Sequence, residues 1–241
     1  MKEKPPKAIF FDLDHTLVAY TESPETSWRE ICSLYSQHFK DPTQEKVLAA
    51  ILEFTDWYWS DPVRHKRGRL DLRNARREVV AGAFLALKFD NPVLAIMMAD
   101  SFSARREGLI TLFPGANETL AGLRSRGIRL GLITNGDSKG QRYKIDALGL
   151  APFFDLIQIE AEAGIGKPEA GVYEMALTNL SVTPEEAWMI GDNLVWDIDG
   201  AQKARIKAIW VDYERQGLPA ESKIRPDGII HSLTELLQAG L

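Results

Sequence analysis

Cysteine is almost missing from this chain of 241 residues: Cys32 is the single one, and histidine appears four times. One thiol excludes an intramolecular disulfide and any multi-thiolate zinc or iron–sulfur centre, and it fits a reducing, cytoplasmic setting. Long apolar runs are missing too. The two longest, residues 81–87 and 92–99, are separated by Lys88 and Asp90. Neither approaches the roughly 20 residues of a membrane-spanning helix, so no membrane partner is expected. Residues 1–7 are basic like the head of an export signal, but Asp12 and Asp14 cut the apolar run behind them, and export is not expected. The glycosylation-type triplets Asn117-Glu118-Thr119 and Asn179-Leu180-Ser181 then read as chance matches. Excess positive charge is lacking as well: 29 Lys and Arg face 34 Asp and Glu, a net charge of −5, which argues against general affinity for nucleic acid polymers.

What is present is apolar material, 45% of residues, enough for one large domain or a core with an insertion. Residues 7–14 read Lys-Ala-Ile-Phe-Phe-Asp-Leu-Asp. This run predicts a strand buried on both faces, as in a parallel sheet, ending in carboxylates where open α/β sheets bind their ligands. From about residue 23 to 108 the periodicity turns helical. Leu48, Ile51, Leu52, Thr55 and Trp59, and again Leu94, Met97, Met98 and Phe102, recur at helical spacing. Asp41-Pro42-Thr43, Asp61-Pro62 and Asn91-Pro92 predict cap-plus-proline helix starts. A helical segment without strand signals inside an α/β pattern reads as an inserted domain.

After Phe113-Pro114-Gly115 the alternation returns. Strands are predicted at 129–134, 154–159, 187–190, 207–211 and 228–230, and helices at 116–126, 138–148, 169–180, 195–204 and 232–238. Such repetition with short loops predicts an α/β, Rossmann-like, doubly wound parallel sheet with helices on both faces. The expected organisation is a core of residues 1–17 and 110–241 and a helical insert of residues 18–109.

Polar residues stand just past the apolar part of four predicted strands: Asp12 and Asp14, Thr134 and Asn135, Lys167 in a following loop, and Asp192. Parallel strands carry their C-termini to one edge, so these groups should converge. Carboxylates gathered at one point repel unless a cation neutralises them, and all-oxygen ligation suits Mg2+. Thr134, Asn135 and Lys167 offer donors to an anion, and Gly136 permits close backbone approach. The set suits a phosphoryl group beside a metal.

This constellation resembles the haloacid dehalogenase superfamily of Mg2+-dependent phosphatases, subfamily IA with a helical C1-type cap. The matching residues are Asp12-Leu13-Asp14-His15-Thr16, Thr134-Asn135-Gly136, Gly166-Lys167-Pro168, and Gly191-Asp192-Asn193 with Asp197, in family order across the whole core. The resemblance implies that Asp12 attacks phosphorus to give an aspartyl phosphate, and that Asp14 protonates the leaving alcohol and then activates water. Two residues apart on a strand, these two side chains are expected on one face. Lys167 and Thr134 would balance the charge of the transferring group. Asp12, Asp14 (through its backbone carbonyl) and Asp192 would hold Mg2+, while Asp197 would orient Lys167 or a metal-bound water. An acid at position 14 disfavours dehalogenation, because the metal-free dehalogenases of the superfamily lack it.

His15 falls between two catalytic-face positions and reads as structural. Trp57, Tyr58 and Trp59 could stack on a base or sugar ring, although cap core is the commoner use of such residues. Seven basic residues crowd residues 64–77, a local positive field that could draw an anion, with Arg73 and Arg76 as candidate substrate contacts. Linkers near 18–22 and 107–115 could serve as hinges of a lid. The resemblance, closest to acylneuraminate 9-phosphatase-like and pyrimidine nucleotidase-like groups, implies a phosphatase of small phosphorylated metabolites, nucleoside monophosphates or sugar phosphates, acting as monomer or homodimer. A phosphonatase, a phosphosugar mutase, or a non-catalytic phosphometabolite-binding module are the alternatives on the same core.

Overall fold

A computed structural model describes residues 5–238; residues 1–4 and 239–241, at the two ends of the expected core, lie outside the described residues. In chain order the elements are β1 (Ala8–Phe11), β2 (Val18–Tyr20), α1 (Pro24–Leu34), α2 (Gln44–Ser60), α3 (Pro62–Leu70), α4 (Leu72–Ala86), α5 (Pro92–Gly108), β3 (Ile110–Leu112), α6 (Ala116–Ser125), β4 (Arg129–Thr134), α7 (Ser138–Ala147), β5 (Leu156–Ile159), α8 (Glu160–Ala163), α9 (Ala170–Asn179) and β6 (Ala187–Gly191). A π-helical turn (Leu194–Asp199), α10 (Gly200–Lys203), β7 (Lys207–Val211), β8 (Gly228–Ile230) and α11 (Glu235–Gln238) complete the chain. Packing divides it into two compact units, the first made of the segments before Tyr20 and after Ile110 and the second of Tyr20–Ile110 itself.

The first unit is built on a six-stranded sheet of order β5-β4-β1-β6-β7-β8, with every neighbouring pair parallel. All four residues of β1 are buried, as a central strand covered on both faces requires. Phe11 lies opposite Leu132 of β4 on one side and Ile190 of β6 on the other, so these strands end at one edge. From β1 the chain runs outward through β4 and β5, then returns to the far side of β1 for β6, β7 and β8. The order therefore reverses between β1 and β6, which opens a crevice beyond their C-terminal ends. One face of the sheet packs Phe10, Ile133 and Met189 against Tyr173, Ala176 and Leu177 of α9.

Several elements differ from the sequence pattern. The strands β2 and β3 were not expected; at three residues each they are too short for a periodic signal, and they pair with each other as a two-stranded sheet. Strand β5 begins two residues late because Ala151–Phe153 forms a 3-10 turn. The helix expected at 195–204 opens as a π-turn capped by the Asn193 side chain and becomes α-helical only at Gly200. The last helix starts at Glu235 rather than Ser232, whose hydroxyl instead accepts the Thr234 N–H.

The second unit consists of α1 to α5. Pro62 and Pro92 open helices behind Asp61 and Asn91, whose side chains cap them. At 41–43 the cap is Thr43, after Pro42, so proline there precedes the helix rather than starting it. The core joins Trp28, Ile51, Val80, Met98 and Phe102, with the rings of Trp28 and Phe102 stacked 3.8 Å apart. Met97, expected inside, is exposed: the buried stripe of α5 is Leu94, Ala95, Met98, Ala99 and Phe102, and Met97 stands one position off it. Tyr58 is buried, whereas Trp57 is exposed, with the Arg64 guanidinium 3.8 Å from its ring centroid.

Within this unit Glu22 accepts both Arg105 donors, at 2.7 and 2.8 Å, and the Ser27 hydroxyl at 2.6 Å. The Arg105 bonds first, then Ser27, hold its carboxyl well below the ordinary range, from 4.5 to about 2. The unfolded chain thus binds the proton more readily than the folded one, and the stability from this site is full above the unfolded value and lost as pH falls from about 4.5 to about 2. Circular dichroism melts of Glu22→Gln should show a flatter decline over that window than the parent chain. In the sheet unit, a β-carbon added at Gly131 would lie 2.6 Å from the Phe10 ring. Gly131→Ala is expected to cost about 1–3 kcal/mol in urea unfolding through overpacking.

Candidate active site

Asp12 follows the last residue of β1, and its amide donates to the Ile190 carbonyl of β6 at 2.9 Å, which extends the sheet by one bond. Its carboxylate is nearly buried. Lys167, 1% exposed, reaches it from the loop after α8, with Nζ 2.5 Å from Asp12 Oδ1 and 2.6 Å from Asp197 Oδ1. The Lys167 backbone is set by Asn135: the Asn135 amide donates to the Lys167 carbonyl, and its oxygen accepts the Lys167 N–H, both at 2.8 Å. Asp197 is presented by the π-turn, where its Oδ2 also accepts the Asn193 N–H at 2.9 Å. A β-carbon at Gly191 would lie 2.3 Å from Asp197, so glycine is required for that close approach.

Thr16 joins the two strand ends. Its hydroxyl faces Asp12 Oδ2 at 3.2 Å and Asp192 Oδ1 at 3.3 Å while accepting the Asp192 N–H at 3.1 Å. One hydroxyl hydrogen is thus shared between two carboxylates. Burial raises Asp12 from 3.8 to about 7, with Lys167 opposing and Asp197 adding to the rise. Burial raises Asp192 to about 8, and the charges of Asp12 and Asp197 reinforce it. Burial disfavours a charged Lys167, but Asp12 and Asp197 more than offset this and hold the ammonium above the ordinary lysine range. Oxygens of Asp12, Asp192 and Asp197 lie within 4.8 Å of one another. Both Asp197 oxygens are already engaged, so the residual negative charge rests on Asp12 and Asp192. Two crowded carboxylates with one hydrogen between them fit a hard divalent cation such as Mg2+.

Asp14 is also near, but not by strand alternation. Strand β1 ends at Phe11, and the chain then turns: Leu17 and Val18 N–H both donate to the Leu13 carbonyl, and His15 has φ 60°. Asp14 pairs with Lys144 of α7 and with Gln141 one turn earlier. Thr134, the last residue of β4, is buried beside Gln141. The structure therefore gathers Asp12, Asp14, Thr134, Asn135, Lys167, Asp192 and Asp197 at one edge of the sheet.

Arg73 and Arg76 belong to the helical unit. Arg73 and Arg77 each grip Asp100 through two bonds, and the Arg76 guanidinium lies 5.2 Å from the Phe102 ring centroid. Arg67 pairs with Glu78, so much of the basic run is balanced inside the unit. Sequence reasoning assigned no part to Gln141, Lys144, Thr16 or Glu160. The signal for the first pair was their spacing of three on the helix behind Thr134-Asn135-Gly136; Thr16 stood within a quoted motif. Glu160, which accepts the Gly136 N–H at 3.1 Å, carried no signal.

The sequence matches the haloacid dehalogenase-like hydrolase family over residues 6–205, and the chain belongs to that family of hydrolases. It is 38% identical over 182 residues to the phosphoserine phosphatase of Thermus thermophilus, covering 75% of this chain and 66% of that one. It is 32% identical over 236 residues to the glyceraldehyde 3-phosphate phosphatase of Pyrococcus furiosus, covering 96% and 92%. The N-acylneuraminate-9-phosphatase of Rattus norvegicus is 29% identical over 236 residues, covering 95% and 92%. The fold matches the HAD-hydrolase YfnB of Bacillus subtilis, bound to magnesium in its crystal, with TM-score 0.71 and 23% identity over 99% of this chain and 100% of that one.

Removing the Asn135 side chain orphans a backbone donor and a backbone acceptor of Lys167 together. Asn135→Ala is expected to cost about 1–3 kcal/mol in urea unfolding, with the far-ultraviolet circular dichroism spectrum unchanged.

Proposed function

We propose that this protein is a Mg2+-dependent phosphatase of small phosphorylated metabolites, taking sugar phosphates or nucleoside monophosphates through an aspartyl phosphate on Asp12. The observation that carries this reading is Asp12 itself, a nearly buried carboxylate at the sheet's switch point, 2.5 Å from the Lys167 ammonium and tied through Thr16 to Asp192. The relatives above bear phosphatase names for small phosphomonoesters, which supports the substrate class.

Asp12 attacks phosphorus, so one Oδ–P bond forms as the bond to the leaving oxygen breaks. Asp14 gives that oxygen its proton. A water then attacks the phosphoaspartate, passing a proton back to Asp14, and inorganic phosphate leaves with Asp12 regenerated. Lys167, Thr134 and Asn135 face the phosphoryl oxygens with donors, and Asp197 keeps the Lys167 ammonium aimed. Mg2+ would be held by the side chains of Asp12 and Asp192 and the Asp14 backbone carbonyl, and when bound it shields the nucleophile from the anion it attacks. Tyr20–Ile110 corresponds to the cap, in which Arg73 is held by Asp100 and Arg76 lies beside the Phe102 ring.

A screen of phosphorylated metabolites with Mg2+, read as released phosphate, should give turnover that Asp12→Asn lowers by a factor on the order of 10³ or more. Turnover unchanged in Asp12→Asn would overturn the assignment. Dialysis against EDTA should abolish the activity and Mg2+ restore it, with Asp192→Asn requiring more metal for the same rate.

A further inference from the structure

Helix α7 lies directly behind the phosphate-binding loop, and two residues on one of its faces reach the acid/base and the loop together. Lys144 Nζ is 2.7 Å from each oxygen of Asp14. Gln141 Nε2 is 3.1 Å from Asp14 Oδ2, 2.5 Å from Thr134 Oγ1 and 3.0 Å from the Asn135 carbonyl. Three residues apart on a helix, the two side chains share a face. Asp14 sits in a turn beyond β1, where a single bridge to Val18 holds its backbone.

We infer that Lys144 and Gln141 are positioning residues for the reaction: Lys144 holds the Asp14 carboxylate in the orientation that serves the leaving oxygen, and Gln141 aims the Thr134 hydroxyl at the phosphoryl group. This rests on the phosphatase reading above. The symmetric approach of Lys144 fixes the plane of the carboxylate as well as its distance, which a single bond would not. Gln141 has two amide hydrogens for three acceptors, one of them the Thr134 oxygen. With an oxygen lone pair so occupied, Thr134 keeps its own hydrogen to donate. Its present acceptor, the Asn135 carbonyl, is 3.4 Å away, a weak bond that an anion would displace. The Lys144 pair is part-buried, with side chains 14% and 30% exposed, so its effect on stability is measured separately by urea unfolding of the same variants.

The test separates the proton donor from the fold. Phosphate release is measured for glycerol 3-phosphate, whose alkoxide needs a proton on departure, and for p-nitrophenyl phosphate, whose phenolate does not. Lys144→Met should lower kcat/KM for glycerol 3-phosphate by about 30-fold or more and for p-nitrophenyl phosphate by less than about 3-fold, and Lys144→Arg should recover part of the selective loss. Gln141→Leu should raise KM for both substrates together. A parallel fall on both substrates in Lys144→Met, or no fall on either, overturns the inference while leaving the phosphatase reading in place. If Lys144→Met does not fold, Lys144→Arg decides by the same ratio: a changed ratio supports the role and an unchanged one overturns it. A parent enzyme that releases phosphate from neither these two substrates nor any metabolite in the screen sinks the functional reading first.

Discussion

The Lys167 ammonium, wedged between Asp12 and Asp197, is the interaction on which the rest of the site depends. Burying a charge is costly unless it is paired, and removing one member of such a group leaves the others uncompensated, at about 3–5 kcal/mol. Three distant stretches of chain must therefore arrive together: the end of β1, the loop after α8 and the π-turn after β6. Each has local support that does not involve the ammonium. Asn135 sets the Lys167 backbone, Asn193 caps the turn that presents Asp197, and Gly191 leaves room for the Asp197 carboxylate. The charges are arranged before any ligand enters, so little reorganisation remains for the reaction itself.

Around this centre the excess of negative charge is partitioned. Lys167 serves Asp12 and Asp197, Lys144 serves Asp14, and Asp192 has a hydroxyl and its own backbone but, among the described residues, no cation at hydrogen-bonding distance. That imbalance is what a divalent ion would relieve, and it appears at the sheet's switch point, where the fold opens a crevice. Indirect contacts tie the same region to the flanking loops: the Trp210 indole donates to the Asp192 carbonyl, and the Tyr213 hydroxyl to that of Thr16.

The helical unit handles its charge differently. Its basic run, conspicuous in a chain of net charge −5, is largely spent on local partners: Arg73 and Arg77 on Asp100, Arg67 on Glu78, and Arg64 on Trp57. Composition alone cannot distinguish a field offered to a substrate from one neutralised by acids 11 to 27 residues away.

The buried parallel strands, the helical insert and the four polar motifs were legible in the residues, because continuous apolar runs, helical periodicity and carboxylates or donors at strand ends are local signals. The limits of that reading were local too. Short strands such as β2 and β3 carry too few residues for a period, and a π-turn has no sequence pattern distinct from a helix. The reach of Asp14 follows from a turn, not from alternation along a strand. Which cation meets which carboxylate depends on contacts spanning 130 residues for Lys144 with Asp14 and 155 for Lys167 with Asp12. Residue types determined that acids, donors and an ammonium would collect at one sheet edge. Only the packed chain decided the pairing, since distance and burial, absent from a linear pattern, govern the strength of a charge interaction.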